Sequence, residues 1–222
     1  MLRLKKRNLY HELAEIIPDN ITIVEGGAFH GHDTVQIARA FPNSKIYSFE
    51  PIPELFAHVV ETTQGYPNIH PINLALGEKD GTATFWPSEN PKKPGKHSQA
   101  GSLLKPKERL QHSPIRFNEP ITINAISLDT WAKQNKIDRI DFLWLDLQGY
   151  ESAVLEGAKH LLPEISYIYT EVNFIEAYEG LKQYPEVVSW LAEHNFEIIG
   201  KDFDDTQTSF FGNILCRNVK KS

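Results

Sequence analysis

The stretch that most constrains the fold runs from Ile21 to Phe41. A short apolar run, Ile21 to Val24, ends in the carboxylate Glu25. Gly26, Gly27 and Gly31 follow, and then Val35, Ile37, Ala38 and Phe41 recur at helical spacing. This reads as strand, tight turn and helix. Glycines at such a turn let a ligand approach the backbone where a side chain would block it. The start of the helix also offers unpaired N–H groups to that ligand. The bland alternative is a strand–turn–helix unit whose glycines serve packing only. A second strand, Lys45 to Phe49, ends in another carboxylate, Glu50. Ligands of open α/β sheets lie beyond the carboxyl ends of the strands, so Glu25 and Glu50 are expected side by side at one edge.

The chemistry of that edge narrows the ligand. The dinucleotide fingerprint is G-x-G-x-x-G. Here the glycines read G-G-x-x-x-G, with a carboxylate ahead of them. That carboxylate would repel a pyrophosphate and suits an ammonium. Glu50 suits a ribose diol, as the equivalent carboxylate does in dinucleotide folds. An amino acid joined to a nucleoside without phosphate is S-adenosylmethionine. The same spacing argues against the alternative enzyme class, a nicotinamide-dependent oxidoreductase.

The rest of the chain continues the alternation. Leu9, Leu13, Ile16 and Ile17 give a helix stopped by Pro18, so residues 1–20 read as an N-terminal helical extension. Pro53 opens a helix over 53–64. Residues 69–76 read as a third strand, with Pro71 near its start. Residues 82–86 and 121–127 alternate and are expected to pair. Leu128 to Gln134 is a short helix. Ile140 to Leu145 is almost continuously apolar, as a strand buried on both faces requires. It ends in Asp146. A helix around Ala153 to Ala158 precedes a fifth strand, Ile165 to Val172, which contains Glu171 and runs into Asn173. A helix over 184–194 and an antiparallel pair, 196–199 with 209–216, close the chain. The expected fold is α/β: a mostly parallel seven-stranded sheet with helices on both faces, plus a β-hairpin and a long insertion.

That insertion, residues 88–120, is rich in proline and without periodicity. Lys92, Lys93, Lys96, Lys105, Lys107, Arg109 and Arg116 outnumber Glu89, Glu108 and Glu119 there. A connection this long is a solvated insertion or a functional lid. As a lid it would close over an anionic substrate. The chain as a whole, 222 residues with a formal net charge of −6, carries no nucleic-acid footprint. A single cysteine, Cys216, permits no intrachain disulfide and no thiolate zinc cluster, and fits a reducing compartment. No apolar run reaches the length of a membrane span and the basic N-terminus lacks a signal-peptide core. Residues 1–222 are therefore expected to form one cytoplasmic domain without membrane insertion. Its oligomeric state is open.

Carboxylates close successive core strands: Glu25, Glu50, Asp146 and Glu171. With them, the order of motifs resembles the FkbM-type S-adenosylmethionine-dependent methyltransferases. The matching stretches begin with Val24-Glu25-Gly26-Gly27-Ala28 and Gly31, Phe49-Glu50-Pro51, Asn73-Leu74-Ala75-Leu76-Gly77 and Gly101-Ser102-Leu103. They continue with Ser127-Leu128-Asp129, Ile140-Asp141-Phe142-Leu143, Asp146 to Gly149 with Glu151, Leu155-Glu156-Gly157-Ala158 and Glu171-Val172. The family has Asp where Glu25 stands, and Lys-Ile-Asp-Val-Glu-Gly where this chain reads Trp144-Leu145-Asp146-Leu147-Gln148-Gly149. The resemblance implies a class I methyltransferase (Rossmann-like) fold and O-methylation of sugars, glycan precursors or small metabolites.

Residue roles follow as expectations. Gly26, Gly27, Phe29 and Gly31 would form the cofactor turn, with Glu25 facing the methionine part. Glu50 would take the ribose, with Pro51, Ile52, Leu74 and Ala75 about the adenine. Asp146 would hold the methionine ammonium or face the acceptor. A sugar hydroxyl is a weak nucleophile and needs a base or a metal. His97, His30 or Asp146 would take the proton in one version. In the other, Asp146, Glu171 and Asn173 would hold Mg²⁺, which prefers oxygen ligands. The acceptor is a small molecule or sugar, and the basic loop points to an anionic one. The rival outside enzymology is a non-catalytic protein of this fold that binds a partner through the same loop.

Overall fold

A computed structural model describes residues 1–5, 7–93, 95–112 and 114–220. The elements in chain order are β1 (Leu2–Arg3), α1 (Leu9–Ile16), β2 (Thr22–Gly26), α2 (His32–Ala40), β3 (Lys45–Phe49), α3 (Pro53–Thr63) and β4 (Ile69–Ile72). Then come β5 (Ala75–Gly77), β6 (Gly81–Phe85), β7 (Ser88–Glu89), α4 (Arg109–His112), β8 (Arg116–Phe117), β9 (Ile121–Ser127) and α5 (Leu128–Asn135). The chain closes with β10 (Ile140–Leu145), α6 (Glu151–Glu156), β11 (Ile165–Asn173), α7 (Tyr184–Glu193), β12 (Phe196–Lys201) and β13 (Phe211–Asn218).

The main sheet is eight-stranded, in the order β1-β12-β13-β11-β10-β2-β3-β4. Seven of these are the expected strands; the eighth is the short β1, which pairs parallel with β12 at the edge. From β11 through β4 all neighbours are parallel, and β13 is antiparallel to both β11 and β12. β10 lies at the centre because its sequence tolerates nothing else: all six of its residues are buried. Its alternate side chains serve two cores. Leu143 and Leu145 join Val24, Ile168, Trp131, Val154 and Leu191 on the face covered by α5, α6 and α7. Phe142 and Trp144 join Ile23, Ile46, Leu13 and Ile37 on the face covered by α1 and α2. The one carboxylate inside β10, Asp141, is held by the Thr22 N–H at 2.9 Å and by Arg139 at 2.5 Å.

The third strand departs from expectation. The apolar pattern of residues 69–76 predicts one strand, but the main-sheet strand ends at Ile72. Asn73 turns the chain away, donating through Nδ2 to the carbonyls of Glu50 at 2.9 Å and Pro51 at 3.1 Å. Residues Ala75–Gly77 then join a separate three-stranded sheet, β5-β9-β6. In that sheet β6 and β9 pair antiparallel, as the alternation of 82–86 and 121–127 predicts. A hydrophobic pattern alone does not say which sheet a strand joins. The side-chain amide of Asn73 does, and it brings Leu74 and Ala75 over the edge of the main sheet.

The expected insertion is not featureless. β7 pairs with β8, Trp86 bridges to Ser102, and Pro106 bridges to Tyr178. No described helix is long and apolar enough to cross a membrane.

Leu143 lies between Val24 and Ile168 in register and is fully buried. Leu143→Ala should cost about 2–5 kcal/mol of unfolding free energy in a urea titration. A loss below about 1 kcal/mol would place β10 away from the core.

Candidate functional site

The strands after β2 run outward in one direction to β3 and β4, and after β10 in the other, to β11. The order therefore switches between β2 and β10, where loops leave the sheet to opposite sides and open a crevice. A cleft of about 900 Å³, solvent at its mouth included, lies there. Each strand of this part of the sheet delivers residues to it: Gly27 to Phe29 follow β2, Glu50 to Ile52 follow β3, Leu74 to Leu76 follow β4, and Asp146 to Gln148 follow β10. Phe85, His97 to Gln99, Gly101 and Leu103 complete its wall from the second sheet and the long connection.

Two close contacts set the floor of the cleft. The Asp146 N–H donates to the Gly26 carbonyl at 3.1 Å. Beside it, Gly27 has φ +91° and lies so close to Asp146 that an added Cβ would come 2.0 Å from its carbonyl oxygen. Only glycine fits that position. The N–H groups of Gly27 and Ala28 both point to the Phe49 carbonyl, at 3.1 and 3.0 Å. The turn is therefore braced by β3 instead of holding these donors open to a ligand.

Glu50 is clamped by main-chain donors. One carboxylate oxygen accepts from Phe29 N–H and the other from Ile52 N–H, both at 2.9 Å. A carboxylate has about four lone-pair positions, so each oxygen keeps one for a hydroxyl. Burial pushes the Glu50 carboxyl up to about 7, against the lowering effect of those two N–H groups. Ile52, Leu55, Ala75 and Phe85 form an apolar cluster with Phe29 and Leu103 packed against it. This is an apolar slot beside a clamped carboxylate.

The second polar centre is built on Gln148. Its φ is +53°, an uncommon conformation for a residue other than glycine. Ser102 Oγ donates to its carbonyl at 2.8 Å, and Tyr178 OH lies 3.4 Å from Oε1 while donating to Ala100 O at 2.8 Å. Its amide nitrogen donates to Asp146 Oδ1 at 2.7 Å and reaches Glu171 Oε2 at 3.3 Å. Asp146 is exposed in the cleft, whereas Glu171 is buried behind it. Burial raises the Glu171 carboxyl well above the usual range, and the charges of Asp146 and Glu151 push the same way.

Several expected residues stand elsewhere. Gly27, Phe29, Glu50, Pro51, Ile52, Leu74, Ala75, His97 and Asp146 line the cleft. Glu25, Gly26 and Gly31 do not. Glu25 is buried beneath α2, where one oxygen accepts from Thr34 Oγ1 and Ser48 Oγ, both at 2.6 Å. Burial lifts its carboxyl to about 7. It supports the turn from below and does not face a ligand. Gly31 starts α2 and packs on α3. Glu171 and Asn173 bond to each other at 3.3 Å, behind the cleft wall. The expected Mg²⁺ set of Asp146, Glu171 and Asn173 is corrected on this ground. The Gln148 amide, a donor, fills the space between the two carboxylates where a cation would need acceptors. Among the described residues no group of three or more His, Cys, Asp or Glu is placed to hold a metal.

His97 lines the cleft but faces α3, with Nε2 3.4 Å from a Glu54 oxygen. His30 stacks on His58 with ring centroids 5.1 Å apart, and burial followed by neighbouring positive charge holds its pKa below the ordinary value. Tyr150 lines the cleft, whereas Trp86 meets it only through its neighbours. Gln148 and Ser102 build the second polar centre; both lie in stretches that match the resembling family, but the sequence pattern assigns neither a role. The only signal for Gln148 is that it replaces the acidic residue of the resembling family.

Residues 25–198 match the family model of the methyltransferase FkbM domain. The chain belongs to this family. It is a methyltransferase, and S-adenosylmethionine is its cofactor. The methyltransferase is similar to the 2-O-methyltransferase NoeI of Sinorhizobium fredii, 28% identical over 204 residues that cover 91% of this chain and 81% of that protein. It is similar also to the hexuronic acid methyltransferase AglP of Haloferax volcanii, 23% identical over 133 residues, 59% of this chain and 48% of that one. Among solved structures, an rRNA methylase from Streptococcus thermophilus matches with a TM-score of 0.54 at 12% identity, covering 98% of both chains. The TrmK protein of M. capricolum, solved with S-adenosylhomocysteine, matches with a TM-score of 0.53 at 13% identity, over 97% of this chain and 69% of that one. These likenesses establish the class I methyltransferase fold. They replace the nicotinamide oxidoreductase alternative.

The buried carboxylates have a consequence for stability. Glu25 and Glu50 titrate near 7 in the folded protein and near 4.5 as free side chains. The folded state thus binds more protons between these values, and stability falls as pH rises through that window. The thermal midpoint should drop from about pH 5 to about pH 8. Glu25→Gln should flatten the drop. A midpoint that rises over the same interval would contradict the burial of these groups.

Proposed function

We propose that this methyltransferase moves the methyl group of S-adenosylmethionine to a hydroxyl of a sugar, a glycan precursor or a related small metabolite. Residues 1–222 act in this reading as one methyltransferase domain in a reducing cytoplasm, which suits the free, buried Cys216. The observation that carries the reading is the pairing in one cleft of a clamped carboxylate, Glu50, with an exposed one, Asp146. The two relatives named above act, by their names, at a 2-hydroxyl and on a hexuronic acid. That supports a sugar acceptor.

The residues suit the cofactor's parts. Glu50 would receive the ribose hydroxyls. Ile52, Leu55, Leu74, Ala75 and Phe85 would sandwich the adenine. The main chain at Gly27, Ala28 and Phe29 would lie along the methionine part, where side chains would intrude. When bound, S-adenosylmethionine supplies a methyl group on positively charged sulfur that needs no further activation. The protein's own work is then alignment and proton removal.

Asp146 is the proton acceptor in this reading. It stands exposed at the cleft, and the Gln148 amide fixes one of its oxygens. Glu171 is a positioning residue: it is buried behind the cleft and bonded to the same amide, so it orients Gln148 instead of taking the acceptor's proton. His97 closes the nucleoside half with Glu54, and the segment from His97 to Leu103 is the lid over the cofactor. Against the partner-binding alternative, Lys105 and Lys107 of the basic loop are taken up internally by Glu179 and Glu176.

Calorimetric titration of S-adenosylhomocysteine should show binding that Glu50→Ala weakens by about tenfold or more, the loss of a charged hydrogen-bond acceptor. No binding to the folded wild type would end the reading. Asp146→Asn should lower kcat for a sugar acceptor by about a hundredfold or more. If its S-adenosylhomocysteine affinity falls in parallel, Asp146 holds the cofactor and another group takes the proton. Turnover should persist in EDTA, because a donor sits where the metal would lie. Loss of turnover restored by Mg²⁺ would reverse that conclusion.

A further inference from the structure

The basic connection reaches past the cofactor cleft and docks on the segment that follows β11. Lys107 and Arg109 donate their main-chain N–H groups to the Ala177 carbonyl at 2.9 and 3.1 Å, and Glu179 N–H donates to the Lys105 carbonyl at 2.8 Å. Lys105 pairs with Glu179 at 2.7 Å, and Lys107 pairs with Glu176. These two lysines hold the connection down and have no charge to spare.

Arg109 is placed differently. Its Nε is buried and has no hydrogen-bond partner among the described residues. No carboxylate among them lies within ion-pair distance of its guanidinium. The guanidinium carbon sits 4.8 Å from the centre of the Phe210 ring, which gives the planar group a face to rest on. Phe210 in turn is fixed at the end of β11, where its carbonyl accepts from Phe174 N–H at 2.9 Å. The charge of Arg109 is felt at Glu171 and at the Tyr178 hydroxyl, both of which contact Gln148. Arg109 therefore stands by the segment that follows β11, and its charge reaches Glu171 and Tyr178, the two partners of Gln148 on that side. It is absent from the cofactor cleft. A guanidinium whose buried Nε has no hydrogen-bond partner among the described residues is a fork matched to the paired oxygens of a carboxylate or phosphate.

We propose that Arg109 binds an anionic oxygen group, a carboxylate or a phosphate, on the methyl acceptor, so that the acceptor is an acidic sugar. The assignment rests on the methyl-transfer reading for the identity of the ligand as acceptor, and on the geometry alone for the anion site. Glu171 makes no ion pair with Arg109, because its two oxygens accept from Gln148 and Asn173. Lys105 and Lys107 do not compete for the anion, because both are paired. The acceptor's acidic group is the charge that remains to be supplied.

Two measurements test it. The first uses protein saturated with S-adenosylhomocysteine and ligand-observed NMR with D-glucuronate, glucose 1-phosphate and methyl glucoside as probes. One or both anions should bind and methyl glucoside should not; the arm that binds tells carboxylate from phosphate. Arg109→Gln should weaken the anion by about tenfold or more. The second follows S-adenosylhomocysteine release with p-nitrophenyl glucuronide and p-nitrophenyl glucoside. The wild type should prefer the acid, and Arg109→Gln should bring the acid-to-neutral ratio in kcat/KM down by about tenfold. Should Arg109→Gln not fold, Arg109→Lys takes its place and should still lower the ratio, since an ammonium lacks the fork. Binding of neither anion, or equal anion binding in wild type and variant, overturns the assignment. Arg109-dependent anion binding without methyl transfer to any glycoside would leave the anion site standing and sink the methyl-transfer reading. Methyl transfer to the neutral glycoside in preference to the acid would do the opposite.

Discussion

The site depends on one close approach between neighbouring strands. β2 and β10 are parallel partners, and the chain leaves both at the same edge. Asp146 N–H is bound by the Gly26 carbonyl, and the Gly27 α-carbon is pressed against the Asp146 carbonyl oxygen. A side chain at 27 would push the two exits apart. With glycine there, the turn after β2 is free to bend toward β3, where Phe49 and Glu50 receive it. The floor of the cleft, the clamp on Glu50 and the exposure of Asp146 all follow from this contact.

Charge is arranged around that contact in two depths. Glu25, Glu151 and Glu171 lie inside, each satisfied by donors from the fold. Burial raises all three. Asp146 alone stands in the open with an amide fixing it. Gln148 is what separates the layers. A carboxylate at 148 would add a third negative group between Asp146 and Glu171 and would ask for a cation. An amide at the same place donates to both and needs none.

The architecture was legible because burial on both faces leaves a continuous apolar run, as in Ile140 to Leu145, and one-sided burial leaves alternation, as in Ile121 to Ser127. The hairpin and the antiparallel end of the sheet were readable for the same reason. The break after Ile72 was not, since Ile-Asn-Leu-Ala-Leu is equally apolar in one strand or two and the Asn73 amide acts on residues more than twenty positions away. Glu50, Ile52, Leu74 and Ala75 were legible as cleft residues from strand ends. Glu25 was misplaced because strand-end position says which edge a residue occupies, and the last residues of a strand still alternate between faces. Glu25 turns under α2, to Thr34 and Ser48. Glu171 was misplaced for a related reason: β11 continues to Asn173, so Glu171 lies within the sheet and not beyond it.

The long connection was readable as an insertion but not as two devices. Composition averages over its length, and its positive charges look alike in sequence. Folded, they separate by partner. His97 and its successors to Leu103 close the cofactor cleft, with Ser102 bonded to Gln148. The stretch from Lys105 to Arg109 is fastened to residues 176–179 beyond β11. One continuous segment thus lines the cleft and fastens to the chain beyond β11, and Gln148 touches both regions through Ser102 and Tyr178. Lys105 and Lys107 serve in fastening it, through Glu179 and Glu176. Arg109 is held otherwise: its main chain is bound by Ala177 while its guanidinium is carried onto Phe210, which leaves its charged end out of the fastening.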